Sequence, residues 1–249
     1  MSAGLTAGLT LRLETHQGPR EVQVAGAVFD CDGLLVDSES IWLQMLAEWL
    51  AERDVPSEGP QAVLPEDFLG LSVYDTAARL KEVTGHQASS RAPADDSAQA
   101  DARSVDQIVA EMTERYSALL AQGVEPMPGA VELISELASR FPVAVASNGL
   151  RQDVRAMLEE AGILDKVMTV CTLDDVLCGK PEPELYLTAV GRLGIEPGQA
   201  VAFEDSPAGA ESARRAGLTV VGVNQSQAVW LPVTHRLDHL RQVSISTPV

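Results

Sequence analysis

The chain has 249 residues, 45% of them hydrophobic, enough to build one large domain or a core domain with a smaller insertion. Its formal net charge of −18 argues against nucleic acid as a partner, since phosphate backbones attract Lys and Arg. No run of about eighteen apolar residues is present, so no membrane span is expected.

Met1–Arg20 lacks a basic region followed by an apolar block, so no secretory signal is expected. Cys31, Cys171 and Cys178 are odd in number and lack metal-type spacing, which suits a reducing cytoplasm. Residues 1–21 carry Gly, Thr and Gln without sustained periodicity and read as a loose N-terminal extension. Val22–Phe29 reads as the first strand, running into Asp30-Cys31-Asp32-Gly33, where the glycine permits a sharp turn. Residues two apart on an extended backbone point to the same side, so Asp30 and Asp32 can address one point in space. Two carboxylates so close repel unless a cation or a phosphate partner intervenes. The alternative, a strand ending in an acidic turn, is left open by this segment alone. A calcium loop fits worse, because its glycine and further oxygen ligands fall at other offsets.

Ser38 or Asp37 can cap a helix whose apolar face is Ile41, Trp42, Met45, Leu46, Trp49 and Leu50. Pro56–Pro65 reads as a linker and Phe68–Leu71 as an apolar turn. Ser72 with Asp75 forms a capping-box pattern opening a helix through Val83, and Ser104 with Gln107 opens another through Leu119. Gly85–Arg103, rich in Ala, Ser and Asp, reads as an exposed loop. Residues 38–123 are thus a helical insertion. From Pro128 helices alternate with short apolar strands, at Val143–Ala146, Val167–Cys171, Ala200–Phe203 and Thr219–Val223. Continuous apolar strands between helices predict an α/β fold with a parallel sheet covered on both faces. The tail predicts one weak helix near Leu237–Val243, and His235 with His239 lacks a third metal ligand nearby.

In an open parallel sheet ligands bind beyond the carboxyl ends of the strands. Those ends carry Asp30, then Ser147-Asn148-Gly149, then Glu204-Asp205-Ser206-Pro207, with Lys180, one of only three lysines, in the loop Gly179-Lys180-Pro181. Singly, Ser147 and Asp205 could be helix caps and Lys180 a solvated charge; together they are harder to dismiss. Four carboxylates need a cation, and an all-oxygen set suits Mg²⁺. A hydroxyl, a backbone amide and a lysine make a cradle for a transferring phosphoryl group.

Asp30-Cys31-Asp32-Gly33, Ser147-Asn148, Lys180-Pro181 and Glu204-Asp205-Ser206 occur in the order of the four motifs of the haloacid dehalogenase-like hydrolase superfamily, which the chain resembles from Ala25 to Val223. Asp37-Ser38-Glu39 and the insertion after it resemble the subfamily with a small α-helical cap, which includes β-phosphoglucomutase and many sugar-phosphate phosphatases. The resemblance implies a Rossmann-like core over 22–37 and 124–249 with a cap over 38–123. It implies Asp30 as nucleophile and Asp32 as general acid and base. Mg²⁺ would be held by the Asp30 carboxylate, the Asp32 carbonyl and Asp205, with Glu204 directly or through water. Ser147, the Asn148 amide and Lys180 would hold the phosphoryl oxygens.

Dehalogenases of the superfamily lack the second aspartate, so Asp32 argues for phosphoryl transfer. Mutases resemble the chain but have a histidine where Trp42 falls and a basic pair where Leu69 and Val73 fall, so hydrolysis of a small phosphorylated metabolite is favoured. A non-catalytic relative is a third reading, against which the retention of Asp30, Asp32 and Lys180 speaks. In the cap, Trp42 with Leu69, Gly70, Leu71, Ser72 and Tyr74 is expected to read the organic group.

Overall fold

A computed structural model describes residues 8–68, 71, 73–90 and 103–246. In chain order its elements are β1 (Leu9–Thr15), β2 (Gly18–Val24), β3 (Gly26–Phe29), α1 (Ser38–Ala51), α2 (Val73–Ser90), α3 (Val105–Leu120), α4 (Ala130–Ala138) and β4 (Val143–Ala146). There follow α5 (Arg151–Glu160), β5 (Thr169–Cys171), α6 (Glu184–Leu193), β6 (Ala200–Glu204), α7 (Pro207–Arg215), β7 (Thr219–Val223), β8 (His235–Leu237) and β9 (Val243–Ile245). Described residues up to Ser38 and from Gly123 form one compact unit, and those between Glu39 and Gln122 form a second. No helix among the described residues is long and apolar enough to cross a membrane.

The first unit is built on a six-stranded parallel sheet of order β5-β4-β3-β6-β7-β8. Every residue of β3, β4 and β6 is buried, which explains why these strands read as continuous apolar runs rather than alternating ones. On one face Val28, Ala144, Ala146 and Ala202 pack against Leu185, Tyr186 and Ala189 of α6 and Ala210 and Ala213 of α7. Small residues on these strands let the helices approach closely. The chain leaves β3 towards β4 and β5 on one side and returns to β6, β7 and β8 on the other. Strand order therefore reverses beside β3, where such sheets open a crevice. Phe29 stands opposite Val145 on β4 and Phe203 on β6, and the rings of Phe29 and Phe203 stack 4.6 Å apart. This register brings Asp30 and Glu204, the residues that follow on β3 and β6, to one level, with Ser147 one residue further on after β4.

Both ends of the chain depart from expectation. Residues 1–21 are not a loose extension where they are described. Leu9–Thr15 is a strand, paired antiparallel with β2 through the Gly18 turn and with β9 from the far end of the chain. Leu11 and Leu13 are fully buried while Arg12 and Glu14 face outward, the period-two alternation of a half-buried strand. The expected single strand Val22–Phe29 is consequently two, β2 in the small antiparallel sheet and β3 in the parallel one, broken at Ala25. The helix expected near Leu237–Val243 is replaced by β8 and β9 with one short helical turn between them, because both strands find edges to pair with.

The second unit is helical. Met45, Leu46, Trp49 and Leu50 of α1 pack with Phe68, with Ala77 and Leu80 of α2, and with Ile108 and Met112 of α3. Ser104 and Gln107 form the expected reciprocal capping box, satisfying two otherwise unpaired amides at the start of α3. Helix α2 continues to Ser90, beyond Val83, so residues 85–90 are helical where a loop was expected, and residues 91–102 of that expected loop lie outside the described residues. Ser72, the other expected cap, lies outside the described residues.

The alternation in β1 carries a test. Leu13→Ala should cost about 3 kcal/mol in denaturant unfolding, the loss of a fully buried leucine. A loose extension would lose less than about 0.5 kcal/mol.

Candidate active site

Each strand end delivers one polar group. Asp30 follows β3, its amide donating to the Phe203 carbonyl at 3.1 Å. The chain then turns tightly, with the amides of Leu34, Leu35 and Val36 all reaching the Cys31 carbonyl. Gly33 makes the turn possible at φ +72°, and a side chain there would strike the Asp205 carboxylate. The turn places Asp32 against β4: the Ser147 hydroxyl donates to Asp32 Oδ2 at 2.9 Å and the Ser38 hydroxyl donates to Oδ1 at 3.0 Å. Ser147 is oriented by the Gly149 amide, which donates to its Oγ at 2.8 Å.

Lys180 lies in the loop before α6 and is buried. Its Nζ donates to Asp30 Oδ1 at 2.6 Å and to Glu204 Oε1 at 2.7 Å. No hydrogen bond reaches Asp30 Oδ2 among the described residues. Two contacts hold the lysine backbone, its amide donating to Asn148 Oδ1 at 2.8 Å and its carbonyl accepting from Asn148 Nδ2 at 3.2 Å. Glu204 is fully buried. Its Oε1 also accepts from the Tyr186 hydroxyl at 2.6 Å, and its Oε2 accepts from the Ser206 hydroxyl and amide at 3.2 and 3.4 Å. Gly209 lets the first turn of α7 lie against Glu204, where any side chain would collide with the carboxylate.

The sequence model of the haloacid dehalogenase-like hydrolase family matches residues 27–223, which contain every strand end just described. The chain belongs to the haloacid dehalogenase-like hydrolase family. It is 34% identical over 221 residues to validoxylamine A 7'-phosphate phosphatase from Streptomyces hygroscopicus subsp. limoneus, covering 88% of this chain and 91% of that one. It is 29% identical to a fructose-1-phosphate phosphatase from Escherichia coli, over 80% of this chain and 96% of the other. Among solved structures, the fold is similar to β-phosphoglucomutase from Clostridium difficile, with a TM-score of 0.65 at 18% identity over 88% of this chain and 92% of that one. The chain is accordingly an enzyme, a phosphoric monoester hydrolase of this family.

The electrostatics of this hydrolase site are dominated by burial. Desolvation pushes the Asp30 carboxyl up to about 7, helped by the charge of Glu204 and opposed by Lys180. Desolvation also holds Asp205 well above the usual carboxylate range, with Asp30 and Glu204 adding to the effect. Burial alone would lower the Lys180 ammonium, but Asp30 and Glu204 outweigh it and keep the lysine charged. Tyr186, also buried, is raised well above its ordinary value and stays a neutral donor. One lysine therefore faces several buried carboxylates. Asp30, Glu204 and Asp205 each offer an oxygen within 4.8 Å of the others, and Asp205 Oδ1 is buried without a hydrogen-bond partner. An all-oxygen set with surplus negative charge and one unsatisfied atom fits a hard divalent cation.

Of the residues expected from sequence, Asp30, Asp32, Ser147, Asn148, Lys180, Glu204 and Asp205 all gather at these strand ends. In the helical unit Trp42 is half-buried, its ring edge-on to Tyr116 at 5.3 Å, while Leu71 and Tyr74 are exposed. Leu69, Gly70 and Ser72 lie outside the described residues. Tyr186 was not expected: on a helix whose inward face is apolar, an aromatic reads as core. Ser38 was expected only as a helix cap.

Asp30 and Asp205 bind protons more tightly folded than unfolded. Their contribution favours the folded chain at low pH and is lost as pH rises from the ordinary carboxylate range, about 4, through about 7 for Asp30. In thermal unfolding of chelated protein, Asp205→Asn should therefore exceed wild type at pH 8, with the difference closing at pH 5. Adding a divalent cation should raise the midpoint of wild type, by roughly 2–4 °C per kcal/mol of binding, and leave the variant unmoved.

Proposed function

We propose that this chain is a Mg²⁺-dependent phosphatase of small phosphorylated metabolites, sugar phosphates above all, acting through a phosphoryl group carried on Asp30. The observation that supports this most is the division of labour between two neighbouring carboxylates. Asp30 has one oxygen on Lys180 and the other open, whereas both oxygens of Asp32 accept from hydroxyls. In-line attack forms a bond from Asp30 Oδ2 to phosphorus as the bond to the leaving oxygen breaks, and Asp32 gives that oxygen its proton. Asp32 then takes a proton from water as the water oxygen bonds phosphorus and the Asp30–phosphorus bond breaks, releasing inorganic phosphate. Lys180 and Ser147 steady the phosphoryl oxygens throughout, supported by the Asn148 amide.

Asp30, Asp205 and the Asp32 carbonyl would hold Mg²⁺, which supplies positive charge against the phosphoryl oxygens. The oxygens of Glu204 already accept from Lys180, Tyr186 and Ser206, so its part is to add charge beside the ion and to aim the lysine. Residues 38–123 are proposed as the cap that reads the organic group. Leu71 and Tyr74 are its exposed candidates, with Leu69, Gly70 and Ser72 between and beside them. Trp42, engaged with Tyr116, contributes chiefly by holding α1 against α3. The absence of charge from Leu69 to Tyr74 favours a monophosphate over the bisphosphate a mutase must grip. The named relatives support the substrate class, one being a fructose-1-phosphate phosphatase and another a validoxylamine A 7'-phosphate phosphatase.

With saturating Mg²⁺, Asp30→Asn should lower turnover of an aryl phosphate about a thousandfold or more while leaving the far-ultraviolet spectrum unchanged. Near-normal turnover would assign the nucleophile elsewhere. Offered a hexose 1-phosphate with a catalytic amount of hexose bisphosphate, the enzyme should release free sugar and inorganic phosphate. Accumulation of the 6-phosphate would make it a mutase.

A further inference from the structure

The turn of the β1–β2 hairpin and the segment leading into β8 enclose a cleft of about 400 Å³, within the range of small-molecule pockets (roughly 300–1,000 Å³). None of its lining residues falls within residues 27–223, so the cleft belongs to elements outside the family match. Its wall carries Arg20, Arg236, His16 and His235, with the hydroxyls of Thr15 and Thr234, and no carboxylate among the described residues. That is unusual in a chain with 36 acidic residues against 18 Lys and Arg.

Several other arginines are neutralised by carboxylates, as Arg115 is by Glu52, Arg192 by Asp175 and Arg215 by Glu182. Arg236 is held by carbonyl groups instead, donating to Val229 at 2.7 Å, to Asn224 at 3.1 Å and to Ser226 at 2.6 Å. These bonds fix the guanidinium without cancelling its charge. Arg20 is exposed and donates to the Pro19 carbonyl at 3.4 Å, with no carboxylate partner among the described residues. Among the described residues, the acid that meets this group is Asp238, 3.0 Å from His16 Nε2, and it is not part of the lining. Burial and the Arg20 charge hold His235 below its ordinary value, so near neutral pH it is an uncharged donor or acceptor.

We propose that this cleft binds a small oxyanion, the phosphate or carboxylate of a metabolite, with Arg20 as its direct charge partner and Arg236 as a fixed charge behind it. A planar guanidinium with free donors suits either anion, and the two arginines concentrate positive potential on a surface that otherwise repels anions.

The chain has four histidines, two of them in the cleft, so imidazole C–H resonances report on it directly. Titrating chelated protein with inorganic phosphate should move the His16 and His235 signals along one saturating curve. The same curve should appear in Lys180→Met, which disables the strand-end site. Arg20→Gln should weaken the binding about tenfold, the loss of one charge-assisted hydrogen bond, while aryl phosphate hydrolysis stays at the wild-type rate. Malonate saturating the same two signals would identify carboxylate as an accepted source, and saturation by phosphate alone would identify phosphate; either upholds the site. Absence of a saturable shift with both anions, loss of the shift in Lys180→Met, or an unchanged curve in Arg20→Gln would overturn it.

Discussion

The contact on which the site depends is the Lys180 ammonium, buried between Asp30 and Glu204. A charge taken out of water must be paired with good geometry, and removing one partner of such a pair costs about 3–5 kcal/mol. The surroundings show how that geometry is kept. Asn148 holds the lysine backbone on one side, and Tyr186 and Ser206 hold Glu204 on the other. Lysine and glutamate are thus fixed before any ligand arrives, and Asp30 is left with one oxygen free. Such preorganised charge in a water-poor setting is what phosphoryl transfer demands, because the reaction consists mostly of positioning and charge stabilisation.

The sheet explains how residues as distant in sequence as Asp30 and Glu204 meet. Parallel strands in register end at one level, and the reversal of strand order beside β3 opens space there. Close packing then becomes a condition of the chemistry. Gly33 and Gly209 stand where a single added carbon would collide with Asp205 or Glu204. The same closeness leaves surplus negative charge, which burial turns into raised proton affinity at Asp30 and Asp205 and into the site's fitness for a cation.

Much of this was legible in the sequence. Buried parallel strands read as unbroken apolar runs, so a polar residue at the end of each stands out; β4 and β7 coincide with their expected limits. The ends of the chain were legible only in part: the alternation over Leu9–Thr15 marks a strand but not what it pairs with. β1 is stabilised by pairing with β9, whose residues lie more than two hundred positions away, and no local pattern records that partner. Leu237, Leu240 and Val243 are spaced as on a helix, yet available sheet edges on either side draw the segment into two short strands. Tyr186 was hidden because burial and hydrogen bonding to Glu204 are compatible with an ordinary apolar helix face. Asn148 was read for its backbone amide, whereas its side chain also braces Lys180, a contact set by the path of a loop thirty-two residues on.

The central claim, that the open carboxylate oxygen of Asp30 takes the phosphoryl group, is tested most directly by trapping. Enzyme mixed with Mg²⁺ and a phosphorylated substrate is quenched within a single turnover, reduced with borohydride and digested for mass spectrometry. The account predicts reductive conversion of one aspartyl side chain, in the peptide containing Asp30 and at Asp30 itself. Modification at Asp32, or none during a turnover that releases inorganic phosphate, would contradict it.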